Sequence, residues 1–222
     1  MDDWNWVARL LHFSDSALPV GAYAHSFGLE GVCQMGIVDD AQSLSLFLKR
    51  DVANALRTVD LPLLALAHTA AMDGETEELA RLDQLSWALR PTRQLREAAS
   101  KIGRQQRKLY QRTWNDRFEI ELPHYQSPII LAIISANEGI PVNAALSSLA
   151  YQTYSALLQA ALKLLPIGPT MTQQLLHEAL LDIASHLQTA AELPEAEIGS
   201  FNPVWDIGAA QHETADARMF IS

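Results

Sequence analysis

The groups in this chain able to ligate a metal are its seven histidines, its single cysteine and its carboxylates, and their spacing is poor for that chemistry. His212 and Asp216 stand four residues apart in His212-Glu213-Thr214-Ala215-Asp216, which puts them on one face if the segment is helical. A structural zinc site needs four ligands and a catalytic one usually three, so the pair reads as surface or interface polarity. Imidazole and thiolate suit a transition metal such as nickel. Yet His177 and His186, nine apart, point to opposite faces of a helix, and Cys33 has no co-ligand at close spacing. His25, beside Ser26 and Glu30, reads as a hydrogen-bonded packing histidine. There is no GxxxxGK[ST] phosphate loop, GxSxG elbow, HExxH pair or glycine-rich dinucleotide turn. No catalytic residue, intrinsic cofactor or resident metal is assigned.

The chemistry that remains is that of contact. Between Arg90 and Arg112, the residues Arg90, Arg93, Arg96, Lys101, Arg104, Arg107, Lys108 and Arg112 supply eight of the sixteen basic side chains, opposed only by Glu97. The rest of the chain holds eight basic and twenty-five acidic groups. On a helix these cations share an arc of roughly 160°, with Leu95, Ile102 and Leu109 opposite. The face is either solvated and neutralised by the protein's own acids or a docking stripe for an acidic partner. Gly103, at the border of the two faces, leaves room for a close neighbour at about 1 kcal/mol of helix propensity.

Two further segments are built for contact. Ser14 to Glu30 joins a Pro19-Gly21 turn to a stretch poor in side chains, where Gly21, Gly28 and Gly31 with Ala22, Ala24 and Ser26 bare one helix for another backbone, the protein's own or a partner's. Near the end, Phe201, Trp205, Met219 and Phe220 either pack back onto the bundle or order on binding, with Trp205 and Phe220 as aromatic anchors and Arg218 as a charged one.

The elements that position these groups are helical. Apolar residues recur at three- and four-residue spacing and alternating β-branched runs are nearly absent, so the fold class is all-α. The spacing predicts helices over Trp4 to Phe13, Ala22 to Met35 with Gly36 as its stop, Ser43 as cap to about Val59, and a new or kinked helix from Asp60 with Pro62 in its first turn. Further helices follow over Glu75 to Leu89, from a Thr92 cap to about Arg112, His124 to Asn137, Val142 to Leu164, and Thr170 to Thr189. The expectation is one domain over residues 1–222: a bundle of about eight to ten helices whose core spans about 4–190, and an extended or partly mobile C-terminal interaction tail over about 191–222.

Composition narrows the function classes. A net charge of −10 argues against nucleic-acid binding, which needs a positive footprint. The run Pro128 to Ala136 is too short to span a bilayer, and Leu157 to Ile167 contains Gln159 and Lys163, so no membrane association is expected. One cysteine and an acidic start, Met1-Asp2-Asp3-Trp4, fit a cytoplasmic location.

Ser14 to Glu30, read as Ser-Asp-Ser-Ala-Leu-Pro-Val-Gly-Ala-Tyr-Ala-His-Ser-Phe-Gly-Leu-Glu, resembles the N-terminal signature of the urease accessory protein F family (UreF). The likeness continues in order through Asp60-Leu61-Pro62-Leu63-Leu64, Arg96-Glu97-Ala98-Ala99-Ser100 with Gly103-Arg104, and His124 before an apolar run. It ends with Pro203-Val204-Trp205-Asp206-Ile207, His212-Glu213 and Ala217-Arg218-Met219-Phe220-Ile221-Ser222. Ala22, Pro123 and Ile221 depart from the pattern. The resemblance implies an all-helical homodimer that serves maturation of the urease nickel centre. It would bridge the accessory protein UreD (also called UreH) and the GTPase UreG in a GTP-hydrolysis-dependent complex with apo-urease, its C-terminal segment engaging UreD/UreH. Nickel and GTP would be handled through partners. Carried over, Leu18, Pro19, Gly21, Ser26, Gly28 and Glu30 form the N-terminal signature and Arg218, Phe220 and Ser222 the terminal motif. His25, Arg93, Arg96, Arg104, Trp205, His212 and Glu213 are further partner-binding candidates. Two alternatives stand beside scaffolding: a GTPase-activating regulator of UreG that inserts an arginine from the 90–112 helix, and a nickel store.

Overall fold

A computed structural model describes residues 4–115, 118–211 and 219–220. Helix α1 (Asn5–Ser14) forms as expected. The single helix expected over residues 22–35 does not. Gly21 and Gly28 both take left-handed φ, 82° and 86°, and Phe27 joins them at 51°. The chain therefore makes one 3₁₀ turn at Ala22–Ala24, extends through His25, and enters α2 only at Leu29–Gln34. Gly36, at φ 68°, terminates α2 in the conformation glycine tolerates best.

Residues 41–73 run as one continuous helix in which α3 (Ala41–Phe47), α4 (Ala53–Ala55) and α5 (Leu61–Asp73) are separated by π-helical turns at Leu48–Val52 and Leu56–Asp60. Its cap is Asp40, three residues before the expected Ser43. Asp40 Oδ1 accepts the Ser43 N–H at 2.7 Å and Ser43 Oγ accepts the Asp40 N–H at 3.0 Å, a reciprocal capping box. Asp60 caps nothing; it lies mid-helix, beside the wider turn that accommodates Pro62. Pro62 has no N–H to offer, and the Thr58 carbonyl four residues earlier instead accepts the N–H of Gly199 at 3.0 Å.

Beyond α6 (Thr76–Ala88), Thr92 caps α7 (Arg93–Thr113) as its sequence implies. Helix α8 (Ser127–Asn137) starts three residues later than expected. Asp83, fully buried on α6, accepts the backbone N–H groups of His124 (2.6 Å), Tyr125 (3.0 Å) and Gln126 (2.6 Å), and holds Tyr125 at φ 59°. Asp83→Asn puts an amide donor where one or more of these N–H groups must bond. It is expected to cost about 2 kcal/mol, read as a lower urea midpoint at unchanged slope; an unchanged midpoint contradicts this role.

Helix α9 spans Val142–Leu164 as expected. Helix α10 (Pro169–Ala184) stops short of the expected Thr189, because the Ser185 hydroxyl turns back to the Asp182 carbonyl at 2.8 Å and a separate short helix, α11 (Leu187–Ala191), follows. The region read as tail then makes a 3₁₀ turn at Glu195–Glu197 and a further helix, α12 (Pro203–Gln211).

The core follows from two helices without a polar face. Pro128 through Ala136 on α8 are all buried, as are Leu61 through Ala65 on α5, and a helix apolar all round must lie at the centre. These two pack along each other, with α6, α7, α9 and α11 around them. His68 on α5 is buried and its Nε2 bonds the Ile140 carbonyl at 2.9 Å, tying the pair to the α8–α9 turn. No described helix is long and apolar enough to cross a membrane.

Candidate partner-binding surface

The bare glycine motif meets the protein's own tail. A Cβ on Gly31 would lie 1.9 Å from the Gly208 carbonyl oxygen, and one on Gly208 would lie 2.5 Å from Val32 Cγ2. One on Gly28 would sit 2.9 Å from Ala209 Cβ. Helices α2 and α12 therefore touch backbone to backbone, a contact that only paired small residues permit. Around it the Trp205 indole N–H donates to the Phe27 carbonyl, and its ring meets Phe47 edge-on at 5.7 Å. Asn202 bonds Asn54 at 3.1 Å and the Asp51 carbonyl at 3.2 Å. Arg81 is clasped by Glu78 and, from the tail, Glu195.

Glu30 completes the attachment. Its buried carboxylate accepts the N–H groups of Met219 at 2.7 Å and Phe220 at 3.3 Å, and the buried Phe220 ring lies under the Lys163 ammonium at 5.1 Å. Trp205 and Phe220 thus anchor the tail to its own bundle. Of the N-terminal candidates, Leu18, His25, Ser26, Gly28 and Glu30 are buried, Gly21 is half-buried, and Pro19 is exposed. Burial also pushes the Cys33 thiol up to about 11, with the Glu30 and Asp39 carboxylates adding to the shift. A thiol raised this way stays protonated at neutral pH. Alkylation by iodoacetamide should be slow at pH 8 and rise with an apparent pKa near that value; one near the ordinary ~8.5 would overturn this reading.

The basic helix presents a second surface. Arg90 is committed to Asp60 at 2.5 Å and to Ser86. Arg93 lies 4.0 Å from Glu97, and Arg107 bonds Glu121 at 3.1 Å. Arg96 lies flat over Trp87 at 4.5 Å, and Trp87 stacks on His124 at 4.5 Å with 15° between planes. Arg104 and Arg107 both face the Tyr125 ring, at 5.4 and 5.3 Å. Lys101, Arg104, Lys108 and Arg112 are exposed and meet no carboxylate among the described residues. Gly103 has its expected close neighbour, although this is a loop and not a helix: its Cβ would fall 2.0 Å from the Tyr125 carbonyl oxygen.

The UreF family model matches residues 38–180. The chain is 32% identical over 216 residues to the urease accessory protein UreF of Marinomonas sp. (strain MWYL1), spanning 97% of this chain and 94% of that protein. It is 30% identical over 229 aligned positions to the urease accessory protein UreF of Arthrobacter sp. (strain FB24), spanning 98% of each. The chain belongs to the UreF family. The basic helix of this UreF-family chain lies within the matched residues 38–180, whereas the glycine motif and the tail fall outside them.

Among the described residues no three His, Cys, Asp or Glu side chains gather where they could hold a metal ion. The candidates His212, Glu213, Arg218 and Ser222 lie outside the described residues. Of the large apolar tail residues that the sequence marked, Phe201 and Met219 face outward, 84% and 61% exposed, and Ile207, 52% exposed, joins them without having been marked. Sequence reasoning also missed Gly208, although a glycine within a short apolar helix is the signal that marked Gly31.

Proposed function

We propose that this chain is a non-catalytic scaffold for maturation of the urease nickel centre. It acts as a cytoplasmic homodimer that bridges UreD/UreH and the GTPase UreG in a GTP-hydrolysis-dependent complex with apo-urease. The names of the relatives support the process. The observation that carries the scaffold role is the α7 face, where Lys101, Arg104, Lys108 and Arg112 stand without carboxylate partners among the described residues on a chain of net charge −10. Cations left unpaired by an acidic protein suit an acidic surface on another one. A scaffold that binds one nucleotide state of the GTPase more tightly shifts its equilibrium by that difference in affinity. Nickel and GTP are cargo and substrate of the partners on this reading.

The tail supplies the second contact. With Trp205 and Phe220 turned inward, Phe201 and Ile207 face outward for UreD/UreH. Replacing them as Phe201→Ser with Ile207→Asp should abolish co-purification with UreD/UreH and leave the melting temperature unchanged; retained co-purification removes the tail assignment. The exposed Arg104 also suits a GTPase-activating role. Scaffolding expects Arg104→Ala to leave hydrolysis per bound complex unchanged, whereas a fall by orders of magnitude with binding retained establishes the activating role instead.

A further inference from the structure

Between the N-terminal motif, α7, α9 and the tail lies a cavity of about 160 Å³, close to the ~150 Å³ in which an engineered apolar cavity holds one benzene. Its walls are apolar, with Val20, Phe27, Leu95 and Ile102 among them, and Ala99 and Ala156 keep it open where larger side chains would fill it. Most polar groups on the wall are spent within the chain. Asp60 and Arg90 hold each other, Asn202 bonds Asn54 and the Asp51 carbonyl, Gln152 bonds the Phe13 carbonyl and Ser148, and Thr153 bonds the Leu149 carbonyl. The Ser127 and Ser200 hydroxyls can give or take a hydrogen bond.

Two polar groups stand out at the wall. Gln106 is 1% exposed, and its Oε1, sealed from the cavity, has no hydrogen-bond partner among the described residues. Asp206 lines the cavity from α12 as a half-buried carboxylate without a cation among the described residues, and burial alone raises its pKa. A half-buried carboxylate with no cation is costly, so such a wall favours a ligand that brings donors. Among the described residues no unspent cation faces the cavity, since the Arg90 guanidinium is already divided between Asp60 and Ser86. An anion would thus have no counter-charge, whereas a cation would find Asp206.

We propose that this cavity binds a small primary amine: a protonated ammonium on an apolar body of about six to nine heavy atoms, the body among Val20, Leu95 and Ile102 and the ammonium toward Asp206. The site is lined by other faces of the same α7 and tail elements that carry the surfaces assigned to UreG and UreD/UreH.

Benzylamine, benzyl alcohol and benzoate, similar in volume and different in charge, are the probes, titrated into the full chain by calorimetry and by amide chemical shifts. Benzylamine is expected to bind saturably and about tenfold or more tighter than the alcohol, the factor that 1.4 kcal/mol represents, and benzoate is expected not to bind. Asp206→Asn should bring amine and alcohol to equal affinity. Ala156→Leu should abolish both with helicity retained. Absence of saturable benzylamine binding below about 10 mM, a concentration weaker than the −4.1 kcal/mol of a millimolar ligand, overturns the proposal. So does an amine preference that survives Asp206→Asn. Should Ala156→Leu not fold, Asp206→Asn, which changes almost no volume, decides alone.

Discussion

Gly31→Ala is expected to destabilise the protein by about 3 kcal/mol or more and to release the tail to protease. The added methyl would sit 1.9 Å from the Gly208 carbonyl oxygen and 2.7 Å from its carbon. Both obstructing atoms are backbone, so no side chain can swing aside and α2 must separate from α12. That separation also strains the Trp205 bond to the Phe27 carbonyl and the Glu30 bonds to Met219 and Phe220. The losses are coupled, which makes the expected effect larger than that of an ordinary helix glycine, about 1 kcal/mol. Gly36→Ala is the control: it strains a left-handed residue, at φ 68°, which Gly31 is not, and nothing lies within 4 Å of the added carbon. It should cost about 1–2 kcal/mol and leave the tail protected. Urea unfolding and timed proteolysis of the tail check both. A Gly31→Ala protein within about 0.5 kcal/mol of wild type, the range of ordinary surface substitutions, would show that the two helices do not meet as described.

Reversing two cations of the α7 face, Lys101→Glu with Lys108→Glu, is expected to weaken assembly with the acidic partner about a hundredfold, or ~2.7 kcal/mol. Both side chains are exposed and meet no carboxylate among the described residues, so the fold has little to lose and stability should stay within about 0.5 kcal/mol. Each change replaces an attraction with a repulsion, and like charges facing each other across an interface are among the strongest means of refusing a partner. Wild-type affinity should also fall with salt between about 0.05 and 0.5 M, since the Debye length is ~10 Å at 0.1 M. The variant should respond in the opposite direction. Surface plasmon resonance against each partner at several salt concentrations measures both. Salt-independent binding that survives the double reversal would remove this face from the interface.

The readability of the elements depended on where their boundary signals lie. Helix α7 follows from Pro91, the Thr92 cap and the spacing of its cations, and α9 lies between the breakers Pro141 and Pro166, all within a turn of the boundary they set. The start of α8 was misplaced because the group that holds residues 124–126 out of the helix is Asp83, on another helix. The π turns before Pro62 escaped notice for a similar reason, since the Thr58 carbonyl that proline leaves free takes a donor from Gly199 in the tail.

The candidate site divides along the same line. A helix carrying half the chain's cations on one arc is a short-range pattern, legible at once, yet whether those cations meet acids of the same chain depends on its neighbours. Spacing alone could not tell that Arg90 reaches Asp60 and Arg107 reaches Glu121 while Lys101 and Lys108 reach no acid among the described residues. The motif was recognisable as a place of close approach from its glycines. That Gly21 and Gly28 are left-handed turns, and that only Gly31 is bared within a helix, depended on the path toward α12.

By itself the sequence determined the all-α class, the basic face of α7 and the family. Each rests on local propensity, hydrophobic period or residue identity, which do not depend on distant parts of the chain. Only the tertiary structure decided that the approaching backbone at Gly31 is the protein's own, that Trp205 and Phe220 turn inward, and that Trp205 and Asp206 help to line a cavity. Those outcomes depend on which backbones and side chains meet across long sequence separations, and hydrogen-bond satisfaction and steric fit exist only once they have met.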